Sequence, residues 1–411
     1  DPYFKFTMGR AIYKGILRYL AAVHKCDAVV QPLPVHSVSS MLDVRKKKAR
    51  LTWQPTIDVL EETAQPTKYI IYISQGNRGY DNGLAVDAKS TAVDIDLEPG
   101  IMYRFRITAV NSGGESFPSE EVCCYLASED APHILLVDGF QRVAGPKAFN
   151  TENSSGFDMN EEPGVVDRKS PGYCGYQLYF GKDGLGKENA TGHGYSGSEL
   201  EGMILAGNTH DWSCVHAQEI LKCGQYNLSS CVASACPTVN IQHIDIADII
   251  FGAQMMDGYS MKPYKTFTPE VRSLMEQLTQ NGKGVMVSGA HIGTDMSLPE
   301  EQQFLKQILK WTSNNSVHAT AGMNIQGMNT TAALYTEPNE QHYWVRRMDV
   351  LKPSAPAFTT MLYGDGEQSC AVAYKGNDYK AISYGFPLEC IVSPEARSAI
   401  FAASIQFLLE K

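Results

Sequence analysis

Near the start of the chain, apolar residues fall at three- and four-residue steps: Phe4, Met8, Ile12, Ile16, Leu17, Leu20 and Val23. That period predicts one amphipathic helix over residues 3 to 23. Such a helix cannot bury its stripe alone, so its expected partner is a later domain or one upstream. Residues 29 to 37, VVQPLPVHS, form a proline-punctuated linker. The pattern then changes to short strands at sandwich-like spacing: ARLTWQP, KYIIYIS, TAVDIDL, YRFRITAVN and EVCCYLA. Tyr69, Ile71 and Ile73 alternate with Ile70 and Tyr72, as a strand with two distinct faces requires.

A third pattern starts at SEDAPHILLVDGF. Ile134 to Val137 is a continuous apolar run ending in Asp138-Gly139, the form of a buried parallel strand. IADIIFG (246 to 252) and GVMVS (284 to 288) repeat that form. Between them, FTPEVRSLMEQLTQNGKG predicts a helix, with Thr268 as cap, Pro269 in the first turn and Asn281-Gly282 at the end. Further helices are expected at 210 to 222, in LPEEQQFLKQILKW and in SPEARSAIFAASIQFLLEK. SCAVAYKGNDYKAISYGF reads as a hairpin through Gly376-Asn377. Alternating strands and helices predict a doubly wound α/β domain with a mainly parallel sheet. Residues 140 to 205 lack periodicity and are expected to be an irregular insertion, either functional or a lid.

The 411 residues exceed one ordinary domain. The expected division is 1–35 (helix and linker), 36–128 (β-sandwich) and 129–411 (α/β domain). A net charge of −10 argues against nucleic acid as a partner. Lys46-Lys47-Lys48 reads as a solvated turn. No apolar run reaches the roughly 18 residues that span a bilayer. The chain opens on DPYFKFTMGR, without an initiator Met or a signal-peptide pattern, and is read as a piece of a longer protein. Its ten cysteines include no CxxC motif, so no zinc site, other metal or cofactor is expected. Cys231 and Cys236 are the nearest non-adjacent pair that could form a disulfide.

The candidate chemistry lies at strand ends. In GKGVMVSGAHIGTD a strand runs into a small-residue turn, where an α/β enzyme would present a nucleophile. Here the Gly289 to Gly293 frame centres on His291, with Ser288 at the strand end. A packing turn, a catalytic turn and a ligand-binding turn all fit this pattern. Parallel strands collect their carboxyl ends on one side, which brings in Asp138, Gln254 and Asp295. GNTHDW adds His210 and Asp211, and GFPLECI adds Glu389. The expected catalytic set is Ser288, His291, Asp138, Glu389 and His210. A histidine beside two carboxylates could do acid–base work or hold a metal. No GxGxxG follows the first strand and no Walker pattern exists, so nucleotide binding is not expected. Tyr173, Tyr176, Tyr179, Phe180 and Tyr195 could stack on sugar rings or simply pack the insertion.

Several segments resemble known families. RAIYKGILRYL is similar to the last helix of zinc-dependent N-acetylmuramoyl-L-alanine amidases, whose zinc ligands would lie upstream. Trp53, the corner-like Leu97-Glu98-Pro99-Gly100-Ile101-Met102-Tyr103 and the AVNSGGES turn resemble a fibronectin type III domain. The α/β pattern resembles the class I glutamine amidotransferase-like, flavodoxin-related fold. The whole, with LLVDGFQRV, GFDMN, GYQLYF and GNTHDW, resembles the C-terminal region of secreted multidomain proteins of gut bacteria labelled N-acetylmuramoyl-L-alanine amidase or xanthan lyase. That resemblance implies an extracytoplasmic, periplasmic or cell-surface setting and a glycan or peptidoglycan target. It also implies an upstream domain of the same chain as partner. The expected function is an accessory region that positions a catalytic domain on glycan. The alternative is a hydrolase or lyase acting through the crevice residues.

Overall fold

The computed structural model describes residues 4–141, 146–163, 179–181, 207–256, 264–337, 339, 341–364 and 366–410. Helix α1 (Phe4–His24) precedes the sandwich. It does not bury its apolar stripe: Met8, Ile12, Ile16, Leu20 and Val23 are all exposed. Its basic side binds the sandwich instead, through Arg10 and Lys14 to Asp58 (2.8 and 2.9 Å) and Arg18 to Glu61 (2.7 Å).

The sandwich comprises β1 (His36–Asp43), β2 (Lys48–Gln54), β3 (Lys68–Gln75), β4 (Leu84–Asp87), β5 (Ala92–Asp96), β6 (Met102–Asn111), β7 (Gly114–Glu115) and β8 (Val122–Tyr125). Strands β1, β2 and β5 pair in one layer. Strands β4, β3, β6 and β8 form the other. Alternation carries Trp53, Tyr69, Ile71, Phe105 and Ile107 inward, all buried. Trp53 meets Tyr69 edge-on at 5.4 Å. The Tyr103 hydroxyl accepts from the Glu98 backbone N–H at 3.1 Å, which closes the tyrosine corner.

The second unit begins with β9 (His133–Asp138). Where an irregular insertion was expected, β10 (Pro146–Asn150), β11 (Ser154–Pro163) and β12 (Tyr179–Gly181) form a separate three-stranded antiparallel sheet. The turn joining β10 and β11 is closed by the Thr151 backbone N–H donating to the Ser154 carbonyl at 2.7 Å. Polar and glycine residues make such strands unreadable by periodicity. Then follow α2 (Trp212–Cys223), β13 (Asn227–Val232), β14 (Ile246–Gly252), α3 (Pro269–Gln280) and β15 (Gly284–Gly289). Helix α4 (Pro299–Phe304) runs on into a π-helical turn over Leu305–Leu309. The remaining elements are β16 (Trp311–His318), β17 (Asn324–Gly327), β18 (Thr330–Ala333), β19 (Arg347–Pro353), β20 (Phe358–Tyr363), β21 (Ser369–Lys375), β22 (Lys380–Tyr384) and α5 (Pro394–Leu409).

The parallel strands lie in the order β13-β9-β14-β15-β22. The first strand sits between the second and third, so the winding reverses there. Antiparallel β21, β20, β17 and β18 extend the sheet beyond β22. Ala217 and Ile220 of α2 and Phe401 and Ile405 of α5 share the core on one face. Val271, Leu274 and Leu278 of α3 cover the other.

The outer edge of β13 is where the two units join. Strand β1 pairs with it through Ser39↔Cys231 and Ser40↔Ser230, and β8 through Leu228↔Tyr125. An open edge strand invites unwanted pairing, and the sandwich closes this one. The serines of NLSSCV explain the sequence. Ser229 Oγ accepts from Leu42 N–H at 2.9 Å. Ser230 Oγ accepts from Cys123 N–H and donates to the Cys123 carbonyl at 2.9 Å.

Candidate functional site

Register aligns Asp138, Ile250, Ser288 and Tyr384 in one row across β9, β14, β15 and β22, at the carboxyl ends of the strands. Residues paired this way share a face, here the one covered by α2 and α5. Asp138 sits at the reversal point, two strand spacings, or about 10 Å, from Ser288. Its Oδ1 accepts from Phe140 N–H at 2.9 Å. Its Oδ2 is buried with no hydrogen-bond partner among the described residues. Burial pushes this carboxyl well above its usual range; the Phe140 N–H opposes that, and the negative charges of Glu120, Asp211 and Glu389 add to it. Burial thus favours the protonated form of Asp138 more than it would for an exposed carboxyl. Ser288 is 0% exposed, and its Oγ has no partner among the described residues.

Below this row lies an ionic array that the expected set only touched. His216 of α2 bonds Asp248 Oδ2 through Nδ1 at 2.7 Å and Glu389 Oε2 through Nε2 at 3.2 Å. The Tyr343 hydroxyl donates to Glu389 Oε1 at 2.7 Å. His216, Asp248, Tyr343 and Glu389 are all fully buried. Burial alone would depress the imidazole, but Asp248 and Glu389 outweigh it and raise His216 to about 10. Burial raises Glu389, yet the His216 hydrogen bond and charge, with the Tyr343 hydroxyl, hold it below the usual range. The array is thus an imidazolium between two carboxylates. An imidazolium with both nitrogens engaged has no lone pair to act as a base. The available signal for it was the aspartate inside the apolar run IADIIFG, since a charge there must find a partner.

The other expected residues serve the backbone. His291 is buried, at 5% exposure, in the turn after β15. Asp349 of β19 holds this turn, accepting from Gly293 N–H at 2.5 Å and Thr294 N–H at 3.0 Å. Burial raises Asp349 to about 7, against the pull of those two N–H groups. A Cβ on Gly293 would lie 2.3 Å from Ser313 Cβ, which explains the glycine by close packing. Gly293→Ala is expected to cost about 1–3 kcal/mol by overpacking, measured as a lower urea midpoint. Asp295 accepts from Met256 N–H, Thr266 N–H and the Thr266 hydroxyl, tying down the β14–α3 connection. The Gln254 side chain accepts from Gln141 N–H at 3.2 Å. His210, at φ 56°, accepts from Glu121 N–H through its carbonyl and so anchors the start of α2 to the sandwich. Asp211 occupies the N-cap position of α2, but its carboxylate accepts from the Thr209 hydroxyl and makes no capping bond.

Phe140, Trp212 and Tyr343 pack edge-to-face above the array, with rings 5.2 Å apart. His342 stacks against Tyr335 and Tyr343. Cys390 Sγ lies 3.9 Å from His342 Nδ1. Burial and the Glu389 charge push this thiol well up, so it is not a poised thiolate. Structure thus brings Asp138 and Glu389 into one electrostatic neighbourhood, places Ser288 in the same strand-end row, and uses His210 and His291 in the flanking connections.

A groove of about 450 Å³ opens elsewhere, beside β17, β18 and β20. Gln326, Asn329, Thr330, Thr331, Thr359 and Thr360 line it with uncharged amides and hydroxyls, beside Gly327, Met361 and Leu362. Met328 and Asn329 both have positive φ, which forms the tight turn joining β17 to β18. Among the described residues no group of three or more histidine, cysteine or acidic side chains is placed to hold a metal. Cys174 and the aromatics Tyr173, Tyr176 and Tyr195 lie outside the described residues, as do residues 182 to 198 of the glycine-rich stretch.

The sequence model of the fibronectin type III domain matches residues 33–124. Over 167 residues the chain is 27% identical to the mouse neuronal cell adhesion molecule, covering 38% of this chain and 12% of that protein. The chain therefore spans a small part of that relative. Among solved structures, the twitchin kinase region from C. elegans is 22% identical with a TM-score of 0.21, covering 24% of this chain and 17% of its own. The chicken CNTN1 FN1–FN3 domains are 15% identical with a TM-score of 0.20, covering 24% and 33%. The chain carries a fibronectin type III domain, followed by a mixed sheet with parallel strands.

Proposed function

We propose that this chain is an accessory region of an extracytoplasmic cell-wall or polysaccharide-processing protein, binding glycan and positioning a catalytic domain rather than carrying out turnover itself. One observation carries this reading: Ser288, the hydroxyl at the strand end, is buried with no partner among the described residues to take its proton. A serine nucleophile needs a base in hydrogen-bond reach, and the buried His216 is held as a cation between two carboxylates. Two features support the binding role. The groove beside β17 presents uncharged hydroxyls and amides, the groups that match sugar hydroxyls in hydrogen-bonding capacity. The exposed stripe of Met8, Ile12, Ile16 and Leu20 on α1 is the kind of apolar surface that another domain covers, here an upstream domain of the same chain.

The second reading, a hydrolase or lyase, draws on one observation: a buried Asp138 at the reversal point with Oδ2 unpartnered among the described residues, whose carboxyl burial holds toward its proton-bearing form. The two readings separate in one experiment. The chain is incubated with insoluble peptidoglycan, and separately with soluble polysaccharides including xanthan. Bound protein is measured by co-sedimentation and affinity electrophoresis, and products by reducing-end and unsaturated-sugar assays. The expected result is retention without product, unchanged by Ser288→Ala or His291→Ala. Thr331→Trp, which fills the groove, is expected to weaken retention by about tenfold. Product formation abolished by Asp138→Asn would overturn the accessory reading in favour of the enzyme.

A further inference from the structure

Two of the buried cysteines face each other across the junction between the sandwich and the α/β domain. Cys123 is on β8 and Cys214 on the first turn of α2. They sit in the same core cluster, on the face away from Cys124. Each thiol reaches the backbone beside the other: Cys123 Sγ lies 3.7 Å from the Ser213 carbonyl, and Cys214 Sγ 4.0 Å from the Glu121 carbonyl. The Ser213 hydroxyl fixes this approach by donating to the same Glu121 carbonyl at 3.0 Å. After burial, the Cys123 side chain is the largest influence on the Cys214 thiol.

From this juxtaposition we infer that Cys123 and Cys214 form an interdomain disulfide when the chain folds in an oxidising environment. Oxidation is by thiol–disulfide exchange. One thiolate attacks a small-molecule disulfide and expels a thiolate. The second cysteine then attacks the mixed disulfide, forming the S–S bond and expelling the other thiolate. Two protons and two electrons leave the protein, and one external disulfide is reduced to two thiols. The exchange belongs to folding, because burial pushes the Cys214 thiol well up in the finished fold and suppresses its thiolate. The bond closes a loop of roughly 90 residues, long enough to restrict the unfolded chain strongly. It also ties the last strand of the sandwich to the helix that carries His216. Cys231 and Cys236 are a second pair of buried thiols, with Cys236 the largest influence on Cys231. They are five positions apart, so a bond there would close only a short loop and leave the domain junction unlinked. The inference is independent of the glycan reading: a linked chain with no glycan affinity would support one and not the other.

The full chain is refolded with oxidised and reduced glutathione, alkylated under denaturing conditions without reductant, digested and mapped by mass spectrometry. The expected product is a peptide pair joining Cys123 to Cys214, about 2 Da lighter than the two reduced peptides together. The neighbouring Cys124 is excluded by the same map of Cys124→Ala, which keeps the link. Cys123→Ala is expected to leave Cys214 alkylated. The oxidised chain should melt roughly 5 °C above the same chain treated with reductant, a difference that disappears in Cys123→Ala/Cys214→Ala. Recovery of both residues fully alkylated from the oxidised wild-type chain, or Cys123 joined to a cysteine other than Cys214, would overturn the inference.

Discussion

His216→Ala should be the most damaging single substitution in the α/β domain, costing about 3–5 kcal/mol of stability. The change leaves Asp248 and Glu389 facing each other without a cation, in a site where all three groups are fully buried. A carboxylate in that position can be relieved only by taking up a proton or admitting water. The loss is read from urea unfolding followed by tryptophan fluorescence. Glu389→Gln should cost less, because Gln keeps an acceptor for Tyr343 while the Asp248–His216 pair survives. The array also gives a pH signature. The folded value of His216 is raised to about 10, so its contribution is fully present below the ordinary histidine range near 6.5. It is lost as pH rises through about 10. A cost below about 1 kcal/mol for His216→Ala, with no change in alkaline sensitivity, would mean that the imidazole is not held as a cation.

The second large effect is the pH dependence set by Asp349. Burial raises its folded value to about 7, whereas the unfolded carboxyl titrates near 4. The folded state then holds a proton that the unfolded chain has released. Its stabilising contribution is complete below about pH 4 and is lost as pH rises through about 7, by roughly 4 kcal/mol over the whole span. Asp349→Asn keeps an oxygen for the Gly293 and Thr294 N–H groups and cannot ionise. Its amide nitrogen falls where Oδ1 is already unpartnered, an expense of about 1–3 kcal/mol at any pH. The expected outcome is therefore a flatter profile: the variant is weaker than the wild type at pH 4 and equal or stronger at pH 8. Unfolding midpoints across pH 4–8 supply the measurement. Two parallel profiles would show that Asp349 is ionised throughout and that the turn carrying His291 is held by a full carboxylate charge.

Periodicity made the fibronectin type III domain legible almost residue by residue. A strand with one buried face writes its pleat into the sequence, and Trp53 and Tyr103 have few alternative explanations at that spacing. The runs 133–138, 246–252 and 284–289 were readable for the opposite reason, since strands buried on both faces lose their alternation. Strand β13 was not readable. NLSSCV has no apolar run, because two of its serines bond the backbone of strands more than 100 residues away in sequence. Among the candidate residues, Asp138 and Glu389 were legible as polar groups at strand ends. His216, Tyr343 and Asp349 were not, because the helix, loop and strand that carry them give no local sign of their partners.

What the sequence determined by itself was therefore local and periodic: helix caps, the pleat of the sandwich and the buried runs of a doubly wound sheet. Only the tertiary structure decided the pairing of charges. It drew His216 from a helix, Asp248 from mid-strand and Glu389 from a late 3-10 turn into one buried array. It likewise chose a sandwich to close the edge of β13 and left the apolar stripe of α1 facing water. The physical reason is that period and propensity act over a few residues, whereas a buried charge and an open strand edge are satisfied only by groups that folding brings from elsewhere in the chain.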